Sequence, residues 1–64
     1  MQALRRFEVQ VVKMYSTDGL FTPDTDYPVL AMDKDGDELY LLLADDNKDL
    51  AWAPWGAVKV TNIE

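Results

Sequence analysis

The stretch from Tyr27 to Val60 constrains this chain more than any other. It reads YPVLAMD, KDGDE, LYLLLA, DDNKD and LAWAPWGAVKV, so short apolar runs alternate with polar turn-forming ones. Runs of this length, rich in β-branched and aromatic residues and bounded by Asp-Gly or Asp-Asn clusters, read as strands joined by hairpins. Nowhere does an apolar pattern of helical period run to a useful length. The chain is therefore expected to be all-β.

Met1 to Arg6 carries no strong signal. From Phe7 to Tyr15 (FEVQVVKMY), Phe7, Val9 and Val11 alternate with Glu8 and Gln10, which predicts a first strand with one buried face. Val12 and Met14 break that parity and predict a bulge or a change of side. Ser16-Thr17-Asp18-Gly19 is turn chemistry, Leu20-Phe21 is an apolar plug, and Thr22 to Asp26 turns again. The second strand is placed at Tyr27 to Asp33. Pro28 has no amide donor, so it belongs at the strand's start or on an edge.

Lys34-Asp35-Gly36-Asp37 is a hairpin turn with Asp-Gly at its centre. Leu39 to Ala44 is the third strand, Asp45 to Asp49 a loop and Leu50 to Ala53 the fourth strand. Pro54-Trp55-Gly56 makes a tight corner, and Ala57 to Thr61 is the fifth strand. Five short strands with one long early loop predict a closed or nearly closed barrel.

The third strand is apolar on both sides, which a sheet with one wet face does not need. The expectation is that Tyr40, Leu42 and Ala44 face the core with Val29, Ala31, Ala53 and Val58. Leu39, Leu41 and Leu43 then face outward as a contiguous apolar row, the usual mark of an interface. The competing expectation is that the N-terminal segment, or the loop with Leu20 and Phe21, folds over that row.

The 64 residues make a single domain. A chain of this mass buries about 60% of its unfolded surface, a thin margin, and it has no cysteine to staple it. The absence of cysteine fits a reducing compartment. No apolar run approaches the ~20 residues of a bilayer span. The opening MQALRRFEVQ lacks the apolar stretch of a secretory signal, so a cytoplasmic location is expected.

Acidic residues outnumber basic ones 12 to 6, a net charge of -6. Phosphate neutralisation supplies most non-specific nucleic-acid affinity, so direct nucleic-acid binding is not expected. The charge serves solubility. It also permits an acidic mimic of nucleic acid, built from Asp18, Asp24, Asp26, Asp33, Asp35 and Asp37.

Enzymatic chemistry finds little to work with. There is no histidine and no cysteine, which removes the commonest general base and the strongest nucleophile. Asp33 to Glu38 superficially resembles a calcium loop. Counted from Asp33, however, the sixth position is Glu38 where glycine is needed, and the twelfth is Ala44 where a bidentate glutamate is needed. No metal and no cofactor are expected.

Ala51-Trp52-Ala53-Pro54-Trp55-Gly56-Ala57-Val58 resembles the closing segment of SH3 domains, in which a small residue and an aromatic precede a proline corner and a final valine. The resemblance implies a five-stranded SH3-like barrel with a short 3-10 corner before the last strand. Tyr27-x-Val29 followed by Tyr40-x-Leu42-x-Ala44-Asp45 resembles short acidic proteins of bacteriophages and prophages, which implies a host cytoplasm.

The departures matter more than the match. SH3 domains grip proline-rich ligands between stacked aromatic walls. This chain lacks the early Ala-Leu-Tyr-Asp-Tyr motif, places Leu39 near the groove tryptophan and Ala57 at the last tyrosine, and keeps only Pro54.

The functional expectation is a non-enzymatic module that docks on a host or phage protein. Trp55, Trp52, Pro54, Leu39, Leu41 and Leu43 form its contact surface, since tryptophan is enriched where binding energy concentrates. A homodimer formed through the same patch is the alternative, and the acidic mimic is a special case of docking.

Overall fold

The computed structural model describes residues 6–13 and 19–64. Among these, the elements are β1 (Phe7–Val11), β2 (Tyr27–Pro28), β3 (Ala31–Asp35), β4 (Glu38–Ala44), β5 (Leu50–Pro54), a 3-10 turn (Trp55–Ala57) and β6 (Val58–Ile63). The all-β expectation holds, and the corner before the last strand is that 3-10 turn.

The strands form two three-stranded antiparallel sheets, ordered β2-β1-β6 and β3-β4-β5, without closing into a barrel. The strand expected over Tyr27 to Asp33 is cut in two. Tyr27 and Pro28 pair with Val9 and Glu8, and the Val29 amide still donates to the Phe7 carbonyl at 2.8 Å. The Leu30 amide donates instead to Leu42 of the other sheet, also at 2.8 Å. One peptide step thus transfers the chain between sheets, and Pro28, lacking a donor, stands on an edge strand.

Alternation places Val9 and Val11 inside, as the sequence predicts, with Tyr27, Val58 and Val60 beside them on the same sheet. The β1–β6 ladder carries an irregularity ahead of Val12. The β1–β6 register shifts between Glu8 and Val9, where β6 accommodates Thr61 as an extra residue. Val12 and Lys13 leave the ladder exposed, both donating to the Ala57 carbonyl. Met14 and Tyr15 lie outside the described residues.

The face assignment of β4 is inverted. Leu41 and Leu43 have no exposed surface, and Leu39 shares their side. Tyr40, Leu42 and Ala44 point to the other side and are half-buried. Ala31, expected in the core, is exposed as the partner of Leu42. The cause is register. Ala44 pairs with Leu50 across the Asp45–Asp49 loop, which sets Leu43 opposite Ala51 and Leu41 opposite Ala53. Two small alanines leave the room that two leucines fill. Burying each leucine contributes ~1.5–3 kcal/mol relative to exposure.

The loop covers this row from above. Phe21 is buried in the same cluster and meets Tyr27 edge-on, with centroids 5.0 Å apart. The expectation that the long loop folds over the leucines describes the molecule, with Phe21 as the plug and Leu20 left outside.

Both hairpins are set by backbone chemistry. In Asp35-Gly36-Asp37-Glu38 only Gly36 takes positive φ, at 64°, the pattern of a type II′ turn. In the second loop the Lys48 amide closes a turn on the Asp45 carbonyl, and Lys48 is left-handed at φ 67°. This is the three-residue hairpin loop whose last position ordinarily belongs to glycine.

Candidate docking face

The inverted parity decides which residues meet solvent. Cross-strand partners share a face, so the outer side of the β3-β4-β5 sheet carries three rows. They are Ala31–Leu42–Trp52, Asp33–Tyr40–Pro54 and Ala44–Leu50. Trp52 is 44% exposed and Leu50 64% exposed. Apolar side chains on three adjacent strands form a continuous patch, as in interaction surfaces.

Of the residues predicted to bind a partner, Trp52 and Pro54 lie on this face. Leu41 and Leu43 do not, because both are wholly buried, and Leu39 stands on the core side beside them. Trp55 is exposed in the 3-10 turn, off the strand rows. Leu42 and Tyr40, expected in the core, lie on this outer face, and so does Leu50. The signal for them was present in the hairpin loop, whose length fixes the β4–β5 register once Ala53 is placed inside.

At one margin of the patch an open cavity of about 350 Å³ is lined by Asp33, Lys34, Asp35, Tyr40 and Trp52. Asp33 is directly opposite Tyr40. Its carboxylate accepts the Lys34 amide at 2.9 Å, which occupies a backbone donor of the edge strand. Asp35 is directly opposite Glu38, a like-charge pair that opposes sheet formation. Among the described residues the one ion pair is Arg6 with Glu8, at 3.7 Å, on the other sheet. Among the described residues the hairpin carboxylates have no cationic partner.

A second open cavity of about 420 Å³ lies where the chain changes sheets, against Phe7, Pro28, Val29 and Met32. Arg6, just before β1, lines it as well.

The other predicted acidic residues are dispersed. Asp26, just before β2, accepts from Gln10 of β1 and Asn62 of β6, so it lies beside the first sheet. Asp24 sits in the Pro23 turn at φ 59°. Asp33 and Asp35 are on the edge strand of the second sheet, with Asp37 in its hairpin turn. Asp18 lies outside the described residues. Among the described residues no group of three or more carboxylates is gathered as a metal ion would require.

Two further aspartates are structural. Asp45 is buried and accepts the amides of Leu20, Asn47 and Asp49, at 3.3, 2.9 and 2.9 Å. Asp46 accepts the Thr22 hydroxyl at 2.6 Å and the Tyr27 hydroxyl at 2.6 Å. The Tyr27 oxygen in turn accepts the Thr22 amide at 2.7 Å. These bonds, the Thr22 one foremost, hold the Asp46 carboxyl below its ordinary value of 3.8. Together they pin the long loop across the end of β4 and β5. No family model, no curated protein and no solved structure matches the chain.

Proposed function

We propose that the protein is a non-enzymatic protein-binding module that docks through the outer face of the β3-β4-β5 sheet. The observation that carries this reading is the Leu42–Trp52 pair, apolar and turned away from the core. Leu50 and Ala44 extend it on one side, Tyr40 and Pro54 on the other. Such a face loses water when covered, and its tryptophan is the residue type in which binding energy concentrates.

The occupant is a different protein rather than a second copy. The chain carries a net charge of -6, and Asp33, Asp35, Asp37 and Glu38 stand at the margin of the patch. Two copies meeting there bring like charge together, whereas a basic partner is attracted. The mimic of nucleic acid has less support, because Asp26 is bonded to side chains of the first sheet whereas Asp33 and Asp35 stand on the second.

The proposal extends to architecture and setting. A long connection between β1 and β2, two hairpins and a 3-10 turn leading into the last strand support an SH3-like arrangement. The docking protein is then of the phage type, acting on a host or phage partner in the cytoplasm.

Affinity capture on the immobilised protein tests the reading when run beside variants. A protein retained by wild type and Ile63→Ser but lost by Trp52→Ala and Leu50→Ser supports it. Equal retention by all four overturns it. So does a sedimentation profile showing a dimer that Leu50→Ser dissociates, which makes a second copy the occupant.

A further inference from the structure

We infer that the cavity between Asp33, Asp35, Tyr40 and Trp52 receives an arginine side chain of the docked partner. This rests on the docking reading and names the chemistry of its polar margin. Two features converge, and a third strengthens one of them. Two aromatic side chains line the cavity, and an aromatic face attracts a cation within about 6 Å of its centroid. Two carboxylates line it as well, neither engaged in an ion pair among the described residues. One of them, Asp35, faces Glu38 across the hairpin, a repulsion that an incoming cation relieves.

The shape of the charge favours guanidinium over ammonium. A planar group stacks on Trp52 while its fork of donors reaches carboxylates, and it sheds water more readily than an ammonium does. Asp33 is held for this role by the bond from the Lys34 amide to its Oδ1, which leaves Oδ2 to accept from a ligand. Lys34 lines the same cavity and supplies a neighbouring positive charge. Removing that charge is therefore expected to strengthen arginine binding.

The test is a titration of the isotope-labelled protein with N-acetyl-arginine amide, with N-acetyl-lysine amide and N-acetyl-citrulline amide as matched probes. The Trp52 indole N–H and the Asp33, Asp35 and Tyr40 amides are the reporters. Arginine is expected to give saturable shifts at these sites. Binding should be at least tenfold weaker for citrulline, weaker for lysine, weakened by added salt and lost in Asp33→Asn/Asp35→Asn. Lys34→Gln should bind more tightly than wild type.

No saturable shift, equal response to citrulline, or shifts centred on Trp55 instead overturn the inference. Lysine equal to or tighter than arginine overturns the assignment to guanidinium. The two proposals fail separately. If arginine does not bind yet Leu50→Ser still abolishes capture of the partner, the docking face stands and the cation site falls. If arginine binds but Leu50→Ser and Trp52→Ala capture as wild type does, the docking reading falls instead.

Discussion

Leu42 and Trp52 stand opposite one another on the outer face of the β4–β5 ladder, while Leu41 and Ala53, one residue along each strand, meet inside the core. Adjacent leucines of one strand therefore have different work. Leu41→Ala opens a cavity among Leu43, Ala53 and Val9, and is expected to cost about 2–5 kcal/mol. Leu42→Ala removes a half-buried side chain and should cost well under half as much. Urea unfolding of both variants checks the order, and a larger loss for Leu42→Ala contradicts the register.

The loop latch predicts a defined acid response. The folded Asp46 carboxyl lies below its ordinary value of 3.8, through the hydrogen bonds from Thr22 and then Tyr27. A depressed folded value stabilises the protein fully above 3.8, and that contribution is lost as pH falls through the lower folded value. Asp46→Asn should be less stable than wild type at neutral pH, with the gap narrowing below 3.8. Thermal melts across that range measure it, and a gap independent of pH contradicts the role of the charge.

Lys48 occupies a left-handed position at φ 67°, where a side chain costs roughly 1–2 kcal/mol. Glycine removes that strain at some cost in chain entropy. Lys48→Gly should raise stability by about 0.5–1 kcal/mol, read as a higher urea midpoint at unchanged slope.

Gly19 is required for close approach. A Cβ there would stand 2.5 Å from Phe21 Cε2 and 3.1 Å from the Ala51 Cβ. Gly19→Ala must push the plug ring aside, and is expected to destabilise by about 1–3 kcal/mol, as overpacking does. The Phe21 and Tyr27 ring proton shifts should move with it.

Much of this fold is legible in the sequence wherever turn chemistry is strong. Asp35-Gly36 marks one hairpin, the Asp45–Asp49 loop the other, and Pro54 opens the corner. The parity of Phe7, Val9 and Val11 is also plain, because Glu8 and Gln10 mark the wet side. In LYLLLA no polar residue marks either side, so composition alone leaves β4 free to turn over. Loop length resolves it, since Ala44 opposite Leu50 forces Leu41 opposite Ala53. The break after Pro28 leaves no such trace. Val29 and Leu30 belong to an unbroken apolar run, and only their amide partners reveal the change of sheet. The site followed the same division. Trp52 stands out by residue type, whereas the place of Leu42 and Leu50 on the outer face follows only from the register.

The docking face is tested most directly by calorimetric titration of the captured partner into wild type and Trp52→Ala. Truncating a hot-spot tryptophan costs ~2 kcal/mol or more, so affinity should fall by about 30-fold or more while the melting temperature stays close to that of wild type. Wild-type affinity in Trp52→Ala, with the fold equally intact, would contradict the account.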